Sequence, residues 1–286
     1  MPRHVLVSID DSERSFAALE YALASFPNAS LTALTVVDPR ADRASSPDER
    51  EGPTETDVLD RAVERAEDHG LDLRTERRTG TPRGEILSAA VGLDVDHLVL
   101  GSHGQSPVSR PFLGRVSEAV LRRSAVSTTI VPEPASAVRD RELPGRVLIA
   151  VDGSEQSDAA LEYALETLGG GTHTALHVIS LPFDRSHVDV SGTYLDKILT
   201  AHEASADVVL ESAREMADGR GIDLETERAY GSPAAEIVEY AETNGFDQIV
   251  MGSHGRSLAA RMVTGTEAER VARRTTRSVT LVRGRA

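Results

Sequence analysis

The 286-residue sequence predicts a doubly wound α/β fold occurring twice in tandem, each copy a five-stranded parallel sheet with helices on both faces, Rossmann-like in kind. Three observations predict it. Short apolar runs alternate with amphipathic stretches of helical period, the pattern of strands buried on both faces beneath crossover helices. The alternation repeats: Val5-Leu6-Val7-Ser8-Ile9-Asp10-Asp11-Ser12-Glu13 returns as Val147-Leu148-Ile149-Ala150-Val151-Asp152-Gly153-Ser154-Glu155, at an offset of 142. A Gly-rich loop then follows the fourth strand of each copy, as Gly101-Ser102-His103-Gly104 and Gly252-Ser253-His254-Gly255.

Taken in order, residues 5–9 form a strand, and Asp10-Asp11-Ser12 turns the chain and caps a helix running to Ser25. Residues 31–37 are a second strand, 38–53 a polar, Pro-containing loop, and 54–69 a helix stopped by Gly70. Strands over 73–78, 97–100 and 128–131 alternate with helices over 82–91 and 116–123. The second copy repeats this order. Its Gly231-Ser232-Pro233 answers Gly80-Thr81-Pro82 at an offset of 151, so nine residues are added before it, and they lengthen a central helix over 194–219. Residues 132–145, rich in Pro and charge, read as an exposed linker between domains at 1–134 and 143–286.

Composition narrows the function. The absence of cysteine removes disulfides, thiolate catalysis and thiolate metal sites. A net charge of -15 and 3% aromatic residues argue against nucleic-acid binding, which needs a basic face and stacking platforms. No apolar run is long enough to span a bilayer, and a strand pattern begins at Val5 with no hydrophobic leader before it, so a cytoplasmic protein away from membranes is expected. Of 31 basic residues only Lys197 is a lysine. An Arg-dominated, acidic surface suits either a salt-loving source or an Arg-favouring codon usage.

In an open α/β sheet a ligand binds beyond the C-terminal strand ends, where the strand order reverses. Asp10 and Asp152 end the first strands and the Gly-rich loops end the fourth, so each copy gathers both around one crevice. The spacing Gly252-x-x-Gly255, nine residues, Gly265-Thr266 is the strongest signal. Glycines let the backbone approach a phosphate closely, and a helix N-terminus offers unpaired N–H groups and the positive end of a dipole. Thr266 adds a hydroxyl, while its neighbour Glu267 repels an anion unless it points away or helps hold Mg²⁺. In the first copy Gly114 is followed by Arg115, whose guanidinium either forks onto a phosphate or sits in solvent or on Glu118. Asp10 and Asp152 either accept from a base or ribose or simply cap a helix. His103 and His254 lack an evident nucleophile or ligand partner and read as loop-fixing residues; no catalytic residue or metal site is expected.

These residues resemble the universal stress proteins in tandem two-domain, ATP-binding form. The likeness rests on Val-Asp-Gly-Ser at 151–154, Leu-His-Val-Ile at 176–179, Met-Gly-Ser-His-Gly at 251–255 and the spaced glycine signature. It implies a fold shared with the nucleotide α-hydrolases. Ala150, Val151, Asp152 and Val178 would surround the adenosine, Met251 and Gly252 the ribose, and Gly255, Gly265 and Thr266 the phosphates. In the first half Ile9, Asp10, Val36, Gly101, Gly104 and Gly114 occupy matching positions, and Arg115 departs from the pattern. The resemblance further implies fifth-strand pairing of 128–131 with 279–282 in an intramolecular pseudo-dimer, with a homodimer as a further possibility. The function expected is a stress-response regulator binding ATP, AMP or ADP, with Mg²⁺ as a possible companion. The alternatives are a slow ATPase or other nucleotide hydrolase, and a pseudo-dimer without ligand.

Overall fold

A computed structural model describes residues 2–39, 55–103, 113–181, 194–253 and 266–284, the side chains of 55, 56, 194 and 266 aside. The chain divides into two compact units, one gathering Met1–Leu143 with Ala272–Thr280, the other Pro144–Arg261 with Gly265–Val271 and Leu281–Ala286. The first half contains β1 (His4–Ser8), α1 (Glu13–Ser25), β2 (Ser30–Val37), α2 (Glu55–Asp68), β3 (Leu73–Thr79), α3 (Pro82–Gly92), β4 (His97–Gly101), α4 (Arg115–Arg123), β5 (Ser127–Val131) and α5 (Ala135–Arg139). The second contains β6 (Arg146–Ala150), α6 (Glu155–Thr167), β7 (Thr172–Ile179), α7 (Tyr194–Asp218), β8 (Leu224–Tyr230), α8 (Pro233–Thr243), β9 (Gln248–Gly252), α9 (Thr266–Arg274) and β10 (Ser278–Val282).

Strand order in the first unit is β3-β2-β1-β4-β5, every pair parallel. In the second, β8-β7-β6-β9 repeats it in register, Ala150 facing Leu176 as Ser8 faces Leu34. The order reverses between β1 and β4, and between β6 and β9. Each half is therefore doubly wound, matching the predicted fold class.

The continuous apolar runs are buried as parallel strands require: Val5, Leu6 and Val7 are fully covered, as are Val147, Leu148 and Ile149. Each such side chain contributes about 1.5–3 kcal/mol when buried. Against β1 packs the apolar face of α1 with Phe16, Leu19 and Leu23, and against β6 that of α6 with Leu161 and Leu165. Both helices begin alike. The Ser12 hydroxyl accepts the Ser15 N–H at 3.2 Å, and Ser154 accepts that of Ser157 at 3.2 Å, satisfying donors that a first helical turn otherwise leaves open.

The stretch expected to be an exposed linker is instead part of the first unit. Residues 135–139 form α5, whose Ala135 and Val138 are buried in the same core as α1. Glu133 is buried too, accepting from Arg141 at 2.9 Å and from Ser278 at 3.1 Å. Among the described residues no helix is long and apolar enough to cross a membrane.

Candidate strand-end sites

Both crevices are built by the same local accident of the ladder. Leu34 turns its main chain toward β1, and its carbonyl accepts the Ile9 N–H at 2.9 Å. Val37 turns the other way and accepts the Gly80 N–H at 2.9 Å. By that alternation Val36 directs its own N–H and C=O to the β1 side. The next rung there, Val36 N–H to Ile9 C=O, is not formed between the two main chains. The second half repeats it: Leu176 accepts the Val151 N–H at 3.0 Å, Ile179 accepts Gly231 at 3.1 Å, and Val178 faces the gap past β6. Each half thus presents one donor and one acceptor, side by side on an extended residue, where β1 and β2 or β6 and β7 part. Val36 and Val178 are both half-buried.

Sequence-predicted residues line the same gaps. Ile9 and Val151 are buried, and Ala150 is half-buried at the strand end. Asp10 and Asp152 follow directly, each carboxylate accepting a main-chain N–H two residues on, from Ser12 and Ser154, both at 3.0 Å. The Ser12 hydroxyl also donates to Asp10. The helix N-caps are Ser12 and Ser154, so the capping offered for Asp10 and Asp152 falls to the serines and the two carboxylates hold the turn that precedes each helix. Near Asp152 the second half adds Asp158, whose carboxyl is pushed above the usual range by burial and by the charges of Asp152 and Glu155.

Gly101 and Gly252 owe their identity to packing. A Cβ on Gly101 would stand 2.7 Å from the Arg14 carbonyl oxygen, and one on Gly252 2.8 Å from that of Gln156. The first turns of α1 and α6 thus lie directly on the ends of β4 and β9. Met251 is buried beside Gly252, and Ser253 continues the ladder by donating to Val282 at 2.9 Å, as Ser102 donates to Val131 at 2.9 Å. Gly114 returns over the loop start, its N–H donating to the Ser102 carbonyl at 2.7 Å and its Cα so close that a Cβ would lie 3.1 Å from that oxygen. His103 shares a hydrogen bond with the Ser102 hydroxyl at 3.0 Å, the loop-fixing place expected of it.

Gly114 is the N-cap of α4 and supplies no side chain to its open N–H groups. Arg115 is the first helical residue and is exposed. Glu118 is taken by Arg273 at 2.7 Å and Arg122 at 3.4 Å, so it is not the partner of Arg115. Gly104, His254, Gly255 and Gly265 lie outside the described residues. Thr266 opens α9, its side chain likewise outside. Glu267 points away from that helix start: its carboxylate accepts the Ala234 N–H at 3.1 Å and pairs with Arg270. Among the described residues no group of His, Asp and Glu is placed to hold a metal ion, and Glu267 has other duties than Mg²⁺.

Two contributors escaped the sequence reading. The Ser117 hydroxyl donates to the Gly101 carbonyl at 2.7 Å and ties α4 to the end of β4. The His177 ring meets the Val151 carbonyl at 2.8 Å. Aligning the two copies at offset 142 sets His177 against Thr35, and that mismatch was the available signal. A groove of about 670 Å³ between α7 and β8 is lined by Asp207, Arg214, Thr226 and Arg228. It lies on an outer edge of the sheet and its charges pair with one another, Arg228 with Asp207 at 3.2 Å and Arg214 with Glu211 at 3.0 Å, so it offers no converging site.

The fold is thus a tandem of doubly wound α/β domains, each opening at its strand ends. The chain belongs to the universal stress protein family, whose model, described as "Universal stress protein family", matches residues 1–132 and 144–283. A universal stress protein of Mycolicibacterium smegmatis is 28% identical over 301 residues, covering 98% of this chain and 97% of that one. The crystal structure of a universal stress protein from Archaeoglobus fulgidus DSM 4304 superposes with a TM-score of 0.68 at 26% identity, covering 99% of both chains. A universal stress protein in complex with cAMP matches 46% of this chain and 97% of its own, at 28% identity and a TM-score of 0.37.

Proposed function

We propose that this chain is a regulatory protein of the stress response that binds an adenine nucleotide, ATP foremost, at the strand-end crevices, and more tightly in the second half. The observation that carries the reading is the unformed rung at Val36 and Val178. An N–H and a C=O side by side match an adenine edge, which sets a ring nitrogen acceptor next to an exocyclic amino donor. Guanine sets its carbonyl where adenine has the amino group, so a base held in one orientation by its sugar is discriminated.

The phosphates would then fall to the helix that follows the Gly-rich loop. The N-terminus of α4 is open past Gly114, and α9 starts at Thr266, so each half supplies the dipole and N–H groups that bind anions. Arg115 supports a role for the first half as well. A cation at the first position of a helix opposes the dipole at a cost of about 0.3–1 kcal/mol, which a bound phosphate would reverse. Thr266 carries no such burden and adds a hydroxyl, which favours the second half. Ile9 and Val151 would pack on the base, and Asp10 or Asp152 retains a carboxylate oxygen for a ribose hydroxyl. Mg²⁺ would arrive with the nucleotide, coordinated by its phosphates. With its carboxylate engaged by Ala234 and Arg270, Glu267 is not available as a base at the helix start, which favours a binding and signalling role over hydrolysis.

Mass spectrometry of small molecules released from the purified chain tests this. An adenine nucleotide released in stoichiometric amount is the expected result; a chain that releases none, and that takes up none when incubated with millimolar ATP, would overturn it.

A further inference from the structure

We propose that the outer row of α6 formed by Gln156, Ala159 and Glu162 is a docking surface for a short basic amphipathic helix of a partner protein. Such a helix carries small apolar side chains three residues apart and an arginine next to the second. The inference does not rest on the nucleotide reading.

The repeat supplies the observation. In the first half the chain leaving β5 runs back along α1: Arg14 Nε donates to the Pro132 carbonyl at 3.3 Å, and Arg139, at the end of α5, stands 3.7 Å from the Glu20 carboxylate. Arg14, Ala17 and Glu20 lie three residues apart and form one row on the helix. Between the ends of that row α5 buries Ala135 and Val138 in the core that holds Ala17. Under this cover Ala17 is fully buried and the Glu20 side chain is only 2% exposed. The second half has the row without the cover. At an offset of 142 its members are Gln156, Ala159 and Glu162, and the chain leaving β10 starts along it in the same way, the Gly284 N–H donating to Gln156 Oε1 at 3.1 Å. Among the described residues no helix follows β10. Ala159 is only half-buried, and the Glu162 side chain is 52% exposed. A row that is core in one half is surface in the other.

Charge selects the occupant. Helix α6 carries Glu155, Asp158, Glu162 and Glu166 and no basic residue. In the first half Glu20 is met by Arg65, His69 and Arg139. In the second, Arg220 stands in the place of His69 and pairs with Glu162 and, at 3.8 Å, with Glu166, while uncharged Met216 replaces Arg65. Among the described residues no ion pair takes the place of Arg139 on Glu162. A helix that brings an arginine to Glu162 and small apolar side chains to Ala159 repeats the arrangement that α5 makes, and the acidic surface steers it there. A second copy of the chain, with the same net charge of -15, is opposed by like-charge repulsion.

The probe is the end-capped peptide Pro132–Leu143 of this chain, titrated into the isotope-labelled full chain and followed by amide NMR. Signals of residues 156–166 are expected to shift with a dissociation constant of about 1 mM, while those of α1, already covered, stay in place. Val138→Asp in the peptide should weaken binding by about tenfold or more through the lost apolar contact. Arg139→Glu in the peptide should weaken it about two- to fivefold, and Glu162→Arg in the chain should recover that loss. Because so short a helix is marginal in isolation, an extended chain in which a second Pro134–Leu143 follows Gly284 gives an independent reading. Hydrogen exchange of its α6 amides should slow by about tenfold, and Val138→Asp in the added segment should cancel the effect. Either effect, with its cancellation, sustains the proposal; neither effect, wherever else the peptide binds, overturns it. A chain that sediments as a dimer and reverts to a monomer on Glu162→Arg also overturns it, since a second copy then holds the face.

Discussion

The carboxylate of Glu267 accepts the main-chain N–H of Ala234 at 3.1 Å, one residue into α8. This acidic side chain, next to the residue most suited to holding phosphate, is thereby committed to the N-terminus of another helix. Glu267→Gln is expected to lower stability by about 1 kcal/mol, the difference between a charged and a neutral cap. Thermal unfolding checks this. Phosphate release from ATP should be unaffected; a steady wild-type turnover abolished by this change would restore the hydrolase reading.

The glycines at the ends of β4 and β9 answer to the backbone of the preceding helix. Gly101→Ala and Gly252→Ala each set a methyl group under 3 Å from a main-chain carbonyl and should cost about 1–3 kcal/mol. Urea denaturation measures it. Loss of nucleotide binding in these variants would therefore report on folding, and Gly114 or Thr266 is the cleaner place to probe the ligand.

His97 gives stability a pH dependence. It is fully buried, with Nε2 2.8 Å from the Thr129 hydroxyl, and burial holds its pKa down to about 3. The folded state thus stays neutral while the unfolded chain takes up a proton below about 6.5. Between those values the unfolded state binds more protons, so stability is full above pH 6.5 and declines as pH falls, by up to about 1.4 kcal/mol per unit from this group. His173, likewise depressed by burial, acts in the same direction. Chemical denaturation from pH 8 to pH 5 should show the decline. His97→Gln, the residue that Gln248 supplies in the second half, should flatten it.

Glu20 and Glu162 are equivalent in the repeat and have opposite fates. Glu20 is buried, paired with Arg65, with His69 at 3.0 Å and with Arg139 of α5 at 3.7 Å; Glu162 is exposed on Arg220. Glu20→Gln should cost about 2 kcal/mol, since its partners are themselves partly solvated, and it should hasten proteolytic cleavage within residues 132–145. Glu162→Gln should do neither.

Such contrasts mark how far the sequence could be read. Apolar runs, capping serines and the repeat specify the fold because each acts locally: Ser12 and Ser154 cap the helices they precede. Alternation also places Asp10 and the Gly-rich loop at the same sheet edge. What stays hidden depends on distant partners. Ala135 and Val138 are too few to signal a buried helix among prolines and charges, and only the α1 surface makes one. The glycine at 101 looks the same whether a phosphate or the Arg14 carbonyl is its neighbour. Nothing near Glu267 in the chain announces Ala234, and nothing near His177 announces Val151.

The central claim is a nucleotide held by the second-half crevice, and isothermal titration of ATP into the full chain at physiological salt tests it most directly. At least one ATP per chain should bind, GTP should bind more weakly, and Thr266→Val should weaken ATP by about tenfold or more through the lost hydroxyl donor while Arg115→Ala leaves that site unchanged. No heat of binding for ATP, ADP or AMP, or binding indifferent to both Thr266→Val and the base, would contradict it.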